Sequence, residues 1–181
     1  MDVHALAENI SGIFINLASE YSAILSGLFI IFAFIGFCIS GSSVFALLKA
    51  GDAHRQQPVW GVIAAKMVGG VGMIDLSFWA KTWSATLWSL DDPLGIEEYS
   101  SYAAGTDYAQ AAMYAALGFM VICGYVTIGS AYLKITQLGY LSPESRGNQL
   151  GSIFSRILAG SALISCMHIA KALGNSTGLS T

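Results

Sequence analysis

Residues 23–48 read AILSGLFIIFAFIGFCISGSSVFALL, and this stretch decides the fold class because it contains no charged residue. A second stretch, residues 109–133, reads AQAAMYAALGFMVICGYVTIGSAYL and is also free of charge. A helix needs about 20 apolar residues to cross the hydrocarbon core of a bilayer. Both stretches exceed this length, so the sequence predicts two transmembrane helices.

Two less apolar stretches follow these helices along the chain. Each is rich in small residues and holds one cation near its start, Lys66 in the first and Arg156 in the second. Long basic side chains can reach the membrane interface along their own stems, which lowers the cost of placing them just inside the hydrocarbon. We therefore predict an all-α membrane protein with four transmembrane helices, at residues 23–48, 60–80, 109–133 and 150–170.

The composition excludes several other classes of protein. Of the 181 residues, 8 are Lys or Arg, 11 are Asp or Glu, and 55% are hydrophobic. Such a chain is too apolar for intrinsic disorder and too poor in cations for a nucleic-acid-binding surface. Three cysteines in apolar stretches, without CxxC spacing, also exclude a disulfide scaffold: Cys38, Cys123 and Cys166.

The few charges predict an orientation in the membrane. The connections at residues 49–59 and 134–149 are basic, whereas the N-terminal segment and the connection at residues 82–108 are acidic. By the positive-inside rule, the basic loops face the cytoplasm and both termini lie on the outer side. Aromatic residues near the predicted outer ends agree with this orientation: Trp79, Trp83, Trp88, Tyr99, Tyr102 and Tyr108.

Residues 1–22 predict an amphipathic helix ahead of the first span. Ile10, Ile13, Phe14, Leu17 and Tyr21 recur at helical spacing, and polar residues lie on the opposite face. This helix would lie on the outer surface, against a partner or on its own bundle. The acidic connection, 82–108, is too short for a domain, and residues 172–181 form a polar tail.

The two halves of the chain share an ordered series of residues. Gly41 and Ser42 recur 88 residues later as Gly129 and Ser130. After the basic loop the separation becomes 90 residues for Gly61, Lys66, Gly70 and Lys81, matched by Gly151, Arg156, Gly160 and Lys171. We interpret residues 23–81 and 109–171 as two tandem hairpin repeats in parallel orientation about an axis along the membrane normal. The alternative is that any two helical hairpins with basic inner loops look alike.

Small residues at helical spacing predict close contacts between helices. In lipid, such residues let two backbones approach, and this packing drives helix association. The contacts would lie within the four-helix bundle or between subunits. We expect them at Gly61, Gly69, Gly70, Gly151 and Gly160.

The sequence predicts no catalytic residue, metal site or cofactor site. His4, His54 and His168 lack the spacing of metal ligands. No nucleophile elbow, Walker A loop or dinucleotide fingerprint occurs. We therefore expect a protein that is not an enzyme and needs no cofactor.

Asp75 is the one carboxylate within a predicted span, which makes it a candidate polar site in the membrane. It could carry protons in a small proton- or ion-coupled transporter or channel, or it could form a hydrogen bond within or at the edge of the bundle. Six cations mark the predicted cytoplasmic side, where they could anchor the helices, bind lipid phosphates or line an opening. They are Lys49, Arg55, Lys66, Lys134, Arg146 and Arg156.

Both halves read as an apolar helix, then GS-x8-G, a basic loop and G-x4-[KR]-x3-G, with Pro58 in the first loop. Over residues 25–80 and 117–171, this pattern resembles the small inner-membrane components of type IVB secretion and IncI-type conjugation systems, of the IcmC/DotE and TraQ kind. The resemblance implies an accessory subunit of a translocation machine in the bacterial inner membrane, with both termini periplasmic. Its implied partners are membrane lipids, copies of itself and other secretion or conjugation subunits.

Each hairpin also resembles the pilin of conjugative type IV systems, which has two apolar helices joined by a short basic loop. This resemblance implies self-assembly into a ring or into a pilus-like filament outside the cell. In a filament, the basic loops would line the lumen and contact the phosphates of lipids or of transported nucleic acid. A transported protein is the other cargo that the resemblance implies.

Overall fold

The computed structural model describes residues 12, 13, 16, 19–50, 60–89 and 108–169. Throughout these residues the regular structure is helical, without a β-strand. The helices are α1 (Tyr21–Ala50), α2 (Trp60–Ile74), α3 (Leu76–Trp88), α4 (Tyr108–Gln137) and α5 (Pro143–Ile164). A 3₁₀ turn, Leu138–Tyr140, follows α4.

The two charge-free stretches form the two longest helices, α1 and α4. Their segments Tyr21–Lys49 and Ala111–Tyr140 are long and apolar enough to cross a membrane. Each helix has a lysine in its last turn, Lys49 in α1 and Lys134 in α4. Positive charge is favourable there because the helix dipole is negative at its C-terminus. The prediction that these stretches form two helices of membrane-spanning length and apolarity is confirmed.

The prediction of one uninterrupted helix over residues 60–80 needs correction. Helix α2 ends at Ile74, α3 begins at Leu76, and the two axes are bent by 91°. Asp75 lies at the break, and its carboxylate accepts a hydrogen bond from the backbone N–H of Phe78 at 3.2 Å. Aspartate favours such N-cap positions because its short side chain satisfies free N–H groups of a new helix. If the bent pair is one broken span, the described residues hold three candidate spans.

Helix α5 also differs from the expected helix at residues 150–170. It begins earlier, at Pro143, with Ser142 at the N-cap and Glu144 in the first turn. Proline suits the first helical position, and an acidic residue is favourable beside the N-terminal dipole. The helix ends at Ile164, and after a turn at Ser165 residues 166–169 are helical again. Among the described residues, α5 is not one of the helices long and apolar enough to span a membrane.

Four of the helices pack side by side in the order α1, α2, α4, α5, and α3 turns across α4 and α5. The main core lies where they meet and contains the fully buried Met73, Leu76 and Ile128. One face of α1 exposes large apolar side chains such as Phe34 and Phe37. Exposed apolar surface of this extent is typical of contact with lipid or with another protein.

Most of the predicted N-terminal amphipathic helix lies outside the described residues. Residues 12, 13 and 16 are helical, and Ile13 is exposed. Tyr21, at the start of α1, is fully buried, and its hydroxyl donates a hydrogen bond to the carbonyl oxygen of Ala115 at 2.6 Å. This bond ties the beginning of α1 to α4. The acidic residues of the connection after α3 and the polar tail also lie outside the described residues.

Candidate functional site: two matched glycine crossings

Helices α1 and α2 cross at Gly36 and Gly70. A β-carbon on Gly36 would lie 2.5 Å from the carbonyl oxygen of Gly70, and one on Gly70 would lie 2.9 Å from the carbonyl oxygen of Gly36. Both distances are shorter than real β-carbon contacts. The two backbones therefore touch directly, which is the form of contact that small residues permit between membrane helices.

Helices α4 and α5 cross in the same way at Gly124 and Gly160. A β-carbon on Gly124 would lie 2.7 Å from the carbonyl oxygen of Gly160, and one on Gly160 would lie 2.9 Å from that of Gly124. Gly36 and Gly124 are separated by 88 residues, and Gly70 and Gly160 by 90. These are the two separations that relate the halves of the sequence.

A second kind of contact joins the two hairpins, because α2 packs on α4 as well as on α1. Gly69 faces the backbone of α4, where a β-carbon would lie 2.8 Å from the carbonyl oxygen of Tyr132. Gly72 faces the ring of the same tyrosine. Further along, a β-carbon on Gly139 would lie 2.7 Å from the carbonyl oxygen of Gly61. Helix α2 thus has glycine contacts on two sides.

The predicted packing glycines have different surroundings. Gly69, Gly70 and Gly160 lie in the close contacts described above, whereas β-carbons on Gly61 and Gly151 would meet nothing within 4 Å. Gly61 contributes only its carbonyl oxygen, at the contact with Gly139. Sequence reasoning missed the partners of the two crossings, although the 88-residue separation already related them: Gly36 and Gly124.

The second helix of each hairpin is interrupted at a matched position, Asp75 in the first and Ser165 in the second, 90 residues apart. Asp75 is exposed, and its Oδ1 accepts hydrogen bonds from the Phe78 N–H and, at 3.3 Å, from the Ser77 hydroxyl. The Ser165 hydroxyl is buried and has no hydrogen-bond partner within the described part of the chain. The structure therefore places Asp75 at a helix cap and not inside a continuous span.

The predicted cations differ in their contacts. Lys134 Nζ donates to Ser152 Oγ at 2.7 Å, and an Arg156 guanidinium nitrogen donates to Ser130 Oγ at 2.8 Å. Both bonds join α4 to α5. Lys66 Nζ lies 5.4 Å from the centre of the Tyr140 ring, a cation–π distance that links α2 to the turn after α4.

Two other cations are exposed, Lys49 and Arg146. The Arg146 Nε donates to the carbonyl oxygen of Leu141 at 3.0 Å, which leaves the terminal guanidinium nitrogens directed away from that bond. Arg55 lies outside the described residues. Among the described members of the six predicted cytoplasmic cations, Lys49 and Arg146 therefore have the most access to an outside phosphate.

The tryptophans of α3 join helices as well as supplying aromatic surface. Trp83 Nε1 donates to the Tyr132 hydroxyl at 3.1 Å, and Trp88 Nε1 donates to Ser161 Oγ at 3.2 Å. The first bond holds α3 on α4 and the second holds it on α5. They explain how a helix bent by 91° from α2 stays packed on the rest of the molecule.

The described residues define an all-helical protein with two or three helices suited to a membrane. Over these residues, no group of three or more His, Cys, Asp or Glu side chains is arranged to hold a metal ion. Within the described part of the chain, Cys38, Cys123 and Cys166 form no disulfide. No family model, curated protein sequence or solved structure matches the chain.

Proposed function

We propose that this chain is a non-enzymatic membrane subunit of a bacterial type IV secretion or conjugation apparatus of the IVB kind. It would lie in the inner membrane with both termini in the periplasm and assemble with copies of itself and with other subunits. The single observation that carries the proposal is the pair of matched glycine crossings. Backbone contacts of this kind make rigid helical hairpins, which are building units for assembly in lipid.

The proposal includes a duplication of the hairpin. Each copy would hold two spans, the first continuous and the second interrupted, so the four spans comprise α1, the broken α2–α3 segment, α4 and α5 with its continuation. Three features support the duplication: the crossings at matched glycines, the breaks at Asp75 and Ser165, and the separations of 88 and 90 residues. An even number of spans in the first copy would give the second copy the same orientation.

The basic loops would provide the contact with the cargo or with lipid. Lys49 and Arg146 are exposed. Arg55 lies in the basic connection that follows α1, residues 49–59. In a ring or filament these cations would repeat around one opening and attract phosphates of lipids or of transported nucleic acid. Lys134 and Arg156 have interhelical hydrogen bonds and would mainly hold the second hairpin together.

Charge reversal tests this function. Arg55→Glu with Arg146→Glu should reduce the transfer of DNA or effector protein by at least tenfold in cells that insert the protein normally. The control is Lys81→Glu, which makes one such charge reversal at an exposed residue on the predicted outer side. Normal transfer by the double arginine variant, at a normal level in the membrane, would count against the proposal.

A small proton- or ion-coupled transporter or channel is the second candidate, and the observation that favours it is the break at Asp75. Transporters place discontinuous helices at their substrate and ion sites. The carboxylate at this break already accepts two hydrogen bonds within its own segment. Flux through proteoliposomes that contain Asp75→Asn separates this candidate from the first.

A further inference from the structure

We propose that copies of this chain assemble head to tail. The face of α5 that contains Ala159 and Ala162 in one copy would pack on the exposed face of α1 that contains Phe37, Val44 and Leu48 in the next. The contact would repeat the one that α2 makes with α4 inside the chain. The inference rests on the duplication and self-assembly proposed above, and it adds which two surfaces meet.

The internal contact provides the template. On α4 it is formed by Tyr132 and Thr136, which are buried. On α2 it is formed by Gly69 and Gly72, whose missing side chains leave room for the tyrosine ring and for the α4 backbone. Bulky residues of one helix therefore pack on a small-residue face of the other.

The matching positions on α1 are open. Phe37, Val44 and Leu48 are exposed by 70%, 46% and 67%. A β-carbon on Gly41 would meet nothing within 4 Å. Val44 and Leu48 come 88 positions before Tyr132 and Thr136, the buried residues of α4 that contact α2. Phe37 and Gly41 come 88 positions before Tyr125 and Gly129, which are buried beside Phe29 and Phe32 of α1.

The positions on α5 that match the glycines of α2 are exposed or half-buried. Ala159 comes 90 residues after Gly69 and is exposed, and Ala162 comes 90 residues after Gly72 and is half-buried. Both are small, like the glycines that they match. The row of helices thus begins with an exposed bulky face on α1 and ends with a partly exposed small-residue face on α5.

A second copy explains this pattern better than lipid does. Lipid should cover positions that are exposed in both halves, such as Ile31 of α1 and its counterpart Phe119 of α4. Positions that are exposed in one half and buried in the other mark a missing neighbour. Because α1 and α5 offer different surfaces, the contact is heterologous and forms a ring if the rotation closes or a filament if it does not.

Disulfide cross-linking in native membranes tests the contact directly. In a background in which the three native cysteines are replaced by alanine, Val44→Cys with Ala159→Cys should give a ladder of dimers, trimers and larger species on oxidation. Either cysteine alone should give no disulfide dimer, because a head-to-tail contact does not bring identical residues together. The control pair is Ile31→Cys with Leu158→Cys, two exposed residues whose counterparts Phe119 and Val68 are also exposed.

The particle mass gives a second measurement that needs no cysteine. In lipid nanodiscs, the wild-type protein should have a mass several times 19.1 kDa. Ala159→Trp should reduce it to that of one chain, whereas Leu158→Trp should leave it assembled. A wild-type particle of one chain, an unchanged mass in Ala159→Trp, or equal ladders from the test and control pairs would overturn the inference.

The two proposals fail in different ways. If the ladder forms but the Arg55 and Arg146 charge-reversal variant transfers cargo normally, the secretion function is contradicted and the interface stands. If transfer depends on those arginines but the protein is a single chain in the membrane, the interface is contradicted and the function stands.

Discussion

Gly36 and Gly70 lie so close together that a β-carbon on either residue would come within 3 Å of the other's carbonyl oxygen. Gly124 and Gly160 repeat this relationship between α4 and α5. In lipid, apolar side chains gain little by leaving one helix surface for another, so close van der Waals packing decides which helices associate. The two crossings therefore hold the helices of each hairpin in direct backbone contact.

We predict that Gly36→Ala and Gly124→Ala each destabilise the protein. The added methyl group must push the helices apart, and overpacking of this kind costs about 1–3 kcal/mol. The measurement is the free energy of unfolding during a denaturing-detergent titration in mixed micelles.

The control for this prediction is Gly27→Ala on α1, where a β-carbon would meet nothing within 4 Å. Alanine is the better helix former, so this variant should be neutral or more stable by about 0.5–1 kcal/mol. Equal effects of Gly36→Ala and Gly27→Ala would show that the crossing is not a tight contact.

A second prediction concerns the hydrogen bond between Trp83 and Tyr132. A double-mutant cycle with Trp83→Phe and Tyr132→Phe should give a coupling free energy of about 0.5–1.5 kcal/mol, the usual contribution of one hydrogen bond. The measurement is again the free energy of unfolding of the two single variants and the double variant.

Trp88 offers the control for this cycle, because its indole bonds Ser161 and not Tyr132. Trp88→Phe combined with Tyr132→Phe should therefore be additive within about 0.5 kcal/mol. A coupling of zero between Trp83 and Tyr132 would mean that another contact holds α3 on α4.

The helices α1 and α4 could be predicted from the sequence because a long run without charge has few other solutions in a folded chain. The break at Asp75 could not be predicted in the same way. A hydropathy pattern averages over many residues, whereas the break depends on one carboxylate and one N–H group. The sequence shows that Asp75 is unusual, as a carboxylate within an apolar stretch, but its capping role follows only from the backbone path.

The sequence also could not show which glycine of α2 contacts which neighbouring helix. Adjacent residues on a helix point about 100° apart, so Gly69 and Gly70 face different neighbours. The structure shows that Gly70 meets α1 and Gly69 meets α4. Spacing alone identified α2 as a packing helix, but it could not show that the helix has partners on two sides.

The last prediction separates the capping role of Asp75 from a role in transport. Asn is as good an N-cap as Asp, so Asp75→Asn should keep the stability of the protein, whereas Asp75→Ala should lose about 0.5–2 kcal/mol. If the chain is a structural subunit, proton or ion flux through proteoliposomes should be the same for both variants and for the wild type. A coupled transporter requires the opposite result, loss of flux in the well-folded Asp75→Asn protein, because the amide cannot take up or release a proton.

Ser77→Ala is the control for the local hydrogen bonds, since the Ser77 hydroxyl also bonds Asp75 but has no charge to contribute. Flux that falls in Asp75→Asn but not in Ser77→Ala would therefore favour transport, and the break between α2 and α3 would then be an ion site and not only a bend.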